Sequence, residues 1–240
     1  MSDRNNFILQ DVINDLVDTT KSLESALFKL YYFGRLIKNE TLVQYSNAEI
    51  NGYKELDPPN YRKAIAKLTI RMQVGYNEHT AELPISMLEE PFNTQLQYSE
   101  IREGIRVLER MSNSSNQEGA SHLRTDLPME MLAYIQPAAT RLYKSHVRLV
   151  VTQGIITTNA NVVIQIISTV RSRLLAFCMD IAEEFGYDIE ITSFKTHEVI
   201  NNQTINHIIK TQITNNGNGN INNTGNEAEL YANISLKKEN

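Results

Sequence analysis

Residues 42–62 read LVQYSNAEINGYKELDPPNYR. Leu42, Val43, Tyr45 and Ile50 recur at helical spacing, and Asn39 stands where a side chain caps a helix N-terminus. Asn51-Gly52 stops that helix, because glycine takes the left-handed conformation at a helix C-terminus without steric cost. Pro58 and Pro59 then hold the chain in an extended turn. The segment therefore sets Glu49 near a helix end and returns Tyr53, Tyr61 and Arg62 around a rigid corner. A carboxylate, two tyrosines and an arginine at such a corner make either a polar binding pocket or a fold staple closed by a Glu49–Arg62 ion pair.

Upstream, Phe7, Ile8, Val12, Ile13, Leu16 and Val17 form a helical stripe, interrupted or capped at 19–22. Leu23, Ala26, Leu27, Leu30, Phe33 and Ile37 resume it, and Gly34 admits another backbone at close range. Downstream the period changes. Leu68, Ile70, Met72 and Val74 alternate with polar residues, which predicts a half-buried strand over 65–76. Pro84 confines a second strand at 82–85 to a sheet edge. Residues 94–111 read as helix, 112–121 as an exposed loop, and 142–151 as a strand whose Lys144, His146 and Arg148 share one face. Val163, Ile167, Val170, Leu174, Phe177 and Ile181 predict a helix over 161–185 that is either a central core helix or an intermolecular seam. A short strand at 187–191 follows Gly186.

The composition then shifts to an Asn-rich tail. Ile205, His207, Ile209, Thr211 and Ile213 alternate, which predicts strand character over 204–214. A lone strand has to pair with its own core, with another copy or with nothing. Asn ladders stabilise stacked chains, which makes Ile205, Ile209, Ile213 and Ile221 candidate oligomerisation residues. The competing reading of the tail is disorder.

The 240 residues carry a net charge of −5, which argues against a protein that neutralises nucleic-acid phosphates. One cysteine permits no internal disulfide and fits a reducing cytoplasm. The N-terminus lacks a secretory apolar run, and no membrane span is expected. The five histidines share no ligand spacing, so no metal is expected. There is no phosphate loop, dinucleotide fingerprint or nucleophile elbow, and neither a cofactor nor an enzymatic activity is expected. Cys178 sits in an apolar helix and reads as an inert thiol. Arg171 is either a ligand-binding residue or the partner of an acid from the first helices.

Several stretches resemble one family. They are LVDTTKSLESALFKLYYFGRLI at 16–37, NAEINGY at 47–53 with the proline turn and Tyr61-Arg62, and PIS at 84–86. SEIREGIRVLER at 99–110 and VRSRLLAFCMDIAEEFG at 170–186 complete the set. The chain resembles the AbiTii domain family of bacterial abortive infection, over about residues 5–190. That resemblance implies a cytoplasmic antiviral role and supplies no catalytic residue.

The expected fold is α+β: a helix-rich body with a small, mostly antiparallel sheet, and an Asn-rich tail of weak β character. Residues 1–195 are expected as the AbiTii-like domain and 196–240 as the tail. The expected function is anti-phage defence through self-association and contacts with a phage or host protein. A sensor of a small ligand or phage peptide, with a site at Glu49, Tyr53, Tyr61, Arg62 and Arg171, is an alternative. A metal-dependent nuclease is the other.

Overall fold

The computed structural model describes residues 6–118, 122–144 and 146–214. The α+β expectation holds. A three-residue strand, β1 (Asn6–Ile8), leads into α1 (Leu9–Val17), which buries Leu9, Val12, Ile13 and Leu16 at helical spacing. The interruption at 19–22 is real. Ser22 accepts from the Glu24 N–H and opens α2 (Leu23–Leu36). Asn39 caps α3 (Glu40–Asn51) by accepting from the Leu42 N–H. Gly34 makes the α2–α3 corner possible, since a Cβ there would lie 3.0 Å from Val43 Cγ2 and 3.2 Å from its amide nitrogen.

After a 3-10 turn at Asn60–Arg62 come β2 (Lys63–Ile65), β3 (Lys67–Val74) and β4 (Asn77–Leu83). A short helix α4 (Phe92–Gln95), β5 (Tyr98–Glu100), α5 (Ile105–Glu118), β6 (His122–Asp126) and α6 (Met129–Tyr143) follow. The chain continues through β7 (Leu149–Asn159), α7 (Asn161–Phe185), β8 (Asp188–Glu190), α8 (Ile191–Thr196) and α9 (Glu198–Ile208). A π-helical turn at Ile209–Thr214 closes the described part.

Four strands form an antiparallel sheet in the order β4-β3-β7-β6. Its inner face, with Leu68, Ile70, Met72, Leu149, Val151 and Ile156, packs on Ile135, Ala138 and Ala139 of α6 in the smaller core. The register shifts by one residue between Arg71 and Met72, where Thr152 is the extra residue of β7. Two ribbons, β1–β8 and β2–β5, stand apart from this sheet. The larger core is helical and is filled by α1, α2, α5, α7, α8 and α9. α7 is long and apolar enough to cross a membrane by length and composition alone. Here nine of its residues fill the larger core, including Val163, Val170, Leu174, Phe177 and Ile181, so it serves as the central helix of the body and not as a seam.

Four sequence expectations are corrected. Residues 94–111 are not one helix, because Tyr98–Glu100 is taken by pairing with β2 and the helix begins at Ile105. The expected loop at 112–121 is helical as far as Glu118, and residues 119–121 lie outside the described part. The strand expected over 142–151 begins only at Leu149, since α6 runs to Tyr143; Lys144, His146 and Arg148 are exposed in the connection between them. The strand expected over 204–214 is helix. Ile205, Ile209 and Ile213 stand four residues apart, which suits one helix face as well as alternation does, and Ile208 joins them in the core. The described tail therefore has no β character, and the division placed at 195 cuts through a continuous core.

Asp15 fastens α1 to α2. Its side chain is 5% exposed and receives Lys21 Nζ at 2.8 Å, Lys29 Nζ at 2.6 Å and Ser25 Oγ at 2.8 Å. Burial raises its pKa, but the hydrogen bonds from Lys21, Lys29 and Ser25 outweigh that and hold it well below the usual carboxylate range. A depressed folded pKa contributes stability above the unfolded value, about 3.9, and that contribution is lost as pH falls from there towards the folded pKa. Asp15→Asn is expected to lose about 1.5–3 kcal/mol at neutral pH. Urea melts at a series of pH values check this: the gap to wild type closes in acid below the unfolded pKa and stays open at neutral pH.

Candidate functional site

The last turn of α3 presents Glu49 inwards, and the corner that follows is built by two glycines. Gly52 has φ +89°, and a Cβ on it would sit 2.5 Å from the Arg102 carbonyl oxygen. A Cβ on Gly104 would sit 2.2 Å from the Ile50 carbonyl oxygen. The end of α3 and residues 102–104 thus lie backbone against backbone, and the Tyr53 N–H donates to the Arg102 carbonyl at 2.8 Å. Pro59 then starts the 3-10 turn that swings Arg62 back under α3, with the Ile101 N–H donating to the Arg62 carbonyl at 2.8 Å.

Four of the five residues proposed as a site from the sequence meet here. Arg62 Nη2 lies 2.6 Å from Glu49 Oε2, and both side chains are 0% exposed. Glu49 Oε1 accepts from the Tyr53 hydroxyl at 2.5 Å, the Tyr61 hydroxyl at 2.6 Å and Arg62 Nε at 3.4 Å. Arg62 Nη1 donates to the carbonyls of Ile101 at 3.1 Å and Glu103 at 2.7 Å. The Arg62 guanidinium stacks over the Tyr53 ring at 4.8 Å, and that of Arg173 over the Tyr61 ring at 4.7 Å. Arg173 also donates to the Ile213 carbonyl, which ties the cluster to the π-helical turn.

Electrostatics favour this arrangement. Burial pushes the Tyr53 and Tyr61 hydroxyls far above their ordinary pKa, and the Glu49 charge adds to the shift, so both remain proton donors. Burial alone would lower the Arg62 pKa, but the attraction and hydrogen bonding of Glu49 reverse this and keep it charged. Tyr45 is pushed up by burial and by Glu49; its buried hydroxyl feels Tyr61 yet has no partner in hydrogen-bonding geometry. A carboxylate already holding three side-chain donors, opposite an arginine with four N–H groups engaged, has no free base or electrophile to offer a substrate. The arrangement is a structural knot that joins α3, the proline corner, the 101–104 segment and α7.

The fifth residue, Arg171, lies elsewhere. Its Nη1 donates to the carbonyls of Leu16 at 3.0 Å and Asp18 at 3.2 Å, and its Nη2 to that of Lys21 at 3.0 Å. It satisfies the C-terminus of α1, so its partners are carbonyls where an acid was expected. It borders a polar hollow with Thr20, Ser22 and Glu109, in which Glu109 already accepts from Ser22 Oγ at 2.5 Å and the Leu23 N–H at 2.8 Å.

The proposed oligomerisation residues Ile205, Ile209 and Ile213 are buried in the larger core and are not presented to another copy; Ile221 lies outside the described residues. The sequence reading missed Arg102, whose Nη1 holds the carbonyls of Tyr53 at 2.7 Å and Leu56 at 3.1 Å. It also missed Asn39 Nδ2, which donates to Asn202 and Asn206 at 3.0 Å each. The signal for the first was the second glycine, Gly104. The second had none, since an N-cap asparagine looks complete once its capping oxygen is used. Cys178 is buried, and burial pushes its thiol pKa up, which keeps it protonated. Among the described residues no group of three or more His, Cys, Asp or Glu side chains is placed to hold a metal.

No curated protein and no solved structure matches the chain. A family model, AbiTii, matches residues 8–207, which takes in α1 through all but the last residue of α9. The match includes every residue of the Glu49 knot, and the chain belongs to the AbiTii family.

Proposed function

We propose that this protein serves bacterial abortive-infection defence against phage from the cytoplasm, by protein–protein contacts that include contacts between its own copies, and without a catalytic centre. The observation that carries this reading is the AbiTii match over residues 8–207, a family that points to abortive-infection defence. The saturation of the Glu49 knot supports it. A small ligand at Glu49 and Arg62 would have to displace hydrogen bonds already made between fully buried groups. Contacts are then left to the exposed surface, such as the β4 edge of the sheet, whose residues 77–80 are solvent-accessible.

Two measurements test the reading together. Cells expressing the full chain are challenged with a phage panel, and purified protein is incubated with DNA and RNA in the presence of magnesium or manganese. The expected result is fewer plaques than on vector-control cells for at least one phage, with both nucleic acids intact. Plating equal to the control across the panel overturns the defence role, and cleavage would replace contact by catalysis.

A further inference from the structure

Charge is distributed along this chain in two blocks. Residues 131–179 contain no acid and five arginines or lysines. Residues 180–209 contain six acids and a single lysine, Lys195. The fold places the exposed charges of these blocks far apart in the chain path. Lys144, His146 and Arg148 occupy the connection that enters β7, beside the β3–β4 hairpin, where a Cβ on Gly75 would be 3.5 Å from Val147 Cγ1. From there β7 runs for 11 residues and α7 for 25 before the acidic block is reached. At about 1.5 Å per residue, α7 alone spans roughly 37 Å. The tip adjoins the smaller core and the acidic end adjoins the larger one.

Among the described residues neither end is compensated: Lys144 and Arg148 make no ion pair there, and neither do Glu183, Glu184, Asp188 and Glu190. Glu183 and Glu184 stand at the α7 C-terminus, where the helix dipole adds negative potential. Asp188 and Glu190 project from the outer face of the β1–β8 ribbon, opposite Ile8 and Asn6. Each end also carries apolar surface: Tyr76 is fully exposed at the tip, and Ile8 and Tyr187 are about half exposed at the acidic end. Like charges gathered at a helix end without a partner cost stability. Such charges beside bare apolar side chains are what a docking surface offers.

We infer that the basic tip of one copy docks on the acidic end of a second copy, head to tail. The two surfaces differ, so the contact is heterologous and repeats into a ring or an open filament. This rests on the self-association in the proposed function and names its surfaces. It also puts self-association on the body of the protein, within the family-matched residues.

Sedimentation velocity of the full chain tests it, with K144E/R148E and E184K/D188K as reversed variants checked for native circular dichroism. All four positions are exposed, so the fold is expected to tolerate the changes. Wild type is expected to form concentration-dependent larger species at low ionic strength. These should dissociate as the screening length falls from about 10 Å at 0.1 M salt to about 3 Å at 1 M. Each variant alone is expected to be monomeric, and an equimolar mixture of the two should associate again, since every tip then meets an end of opposite sign. A monomeric wild type at low salt overturns the pairing, and so does a mixture that fails to associate. Association that survives both reversals overturns the pairing but leaves the proposed function standing. Plaque counts equal to the vector control overturn the proposed function whatever sedimentation shows. Retardation of a short single-stranded oligonucleotide by a wild type that stays monomeric would assign the tip to nucleic acid instead.

Discussion

Replacing Arg62 by methionine is expected to lower the stability of the protein by about 3–5 kcal/mol, because it leaves the Glu49 carboxylate charged and fully buried without its countercharge. Against a total of about 5–15 kcal/mol for a folded domain, this is a large share of the stability. Loss of the guanidinium also strands the carbonyls of Ile101 and Glu103 and removes the ring contact with Tyr53. Glu49→Leu is expected to be comparably costly, since it strands Arg62 and leaves the Tyr53 and Tyr61 hydroxyls without an acceptor. The double variant should recover part of the loss, as apolar replacements of buried ion pairs commonly do. Urea melts of wild type, both single variants and the double variant give the coupling directly. Single variants within about 1 kcal/mol of wild type, or additive ones, would sink the knot as a stabilising unit. The comparison also separates structure from binding, because a structural knot predicts that phage protection falls in step with stability across the four proteins.

The knot could be read in the sequence because its parts are local. Asn39 caps, Gly52 stops, the prolines turn, and Glu49 and Arg62 are 13 residues apart. What sequence reading left open was whether the group was a pocket or a staple. That depends on Ile101, Glu103 and Gly104, about forty residues further on, which contribute backbone carbonyls and the absence of a side chain. α7 was legible with its limits because a 25-residue apolar stripe ending in glycine has few other solutions. The reading failed where one residue pattern fits two periods. Leu149 and Val151 do alternate on one face, but Tyr143, which fits the same alternation, is the end of α6. The tail failed for the same reason, since spacing by four is both two strand periods and about one helical turn. Its Asn residues added a misleading cue. Asn202 and Asn206 form no ladder; they fasten α9 to the cap of α3.

Ending the chain after Glu198 is expected to abolish cooperative folding, whereas ending it after Thr214 is expected to keep the native melting transition. The shorter chain loses Ile205, Ile208, Ile209 and Ile213, each at most 6% exposed in the larger core. At about 1.5–3 kcal/mol for each buried aliphatic side chain, that is roughly 6–12 kcal/mol, the scale of the whole stability. It also strips the Asn39 side chain of both amide acceptors and Arg173 of the Ile213 carbonyl. The chain ending at Thr214 keeps every described buried residue of both cores. Circular dichroism melts of the two truncations decide the matter, and a cooperative transition at the wild-type midpoint in the shorter one would refute the placement of α9 in the core. The distinction governs how assembly can be tested. Self-association lost on removing residues 199–240 would follow from unfolding and say nothing about the Asn-rich stretch. Only the cut after Thr214 removes that stretch from an intact body, and if association resides in the charged ends of that body it survives the cut.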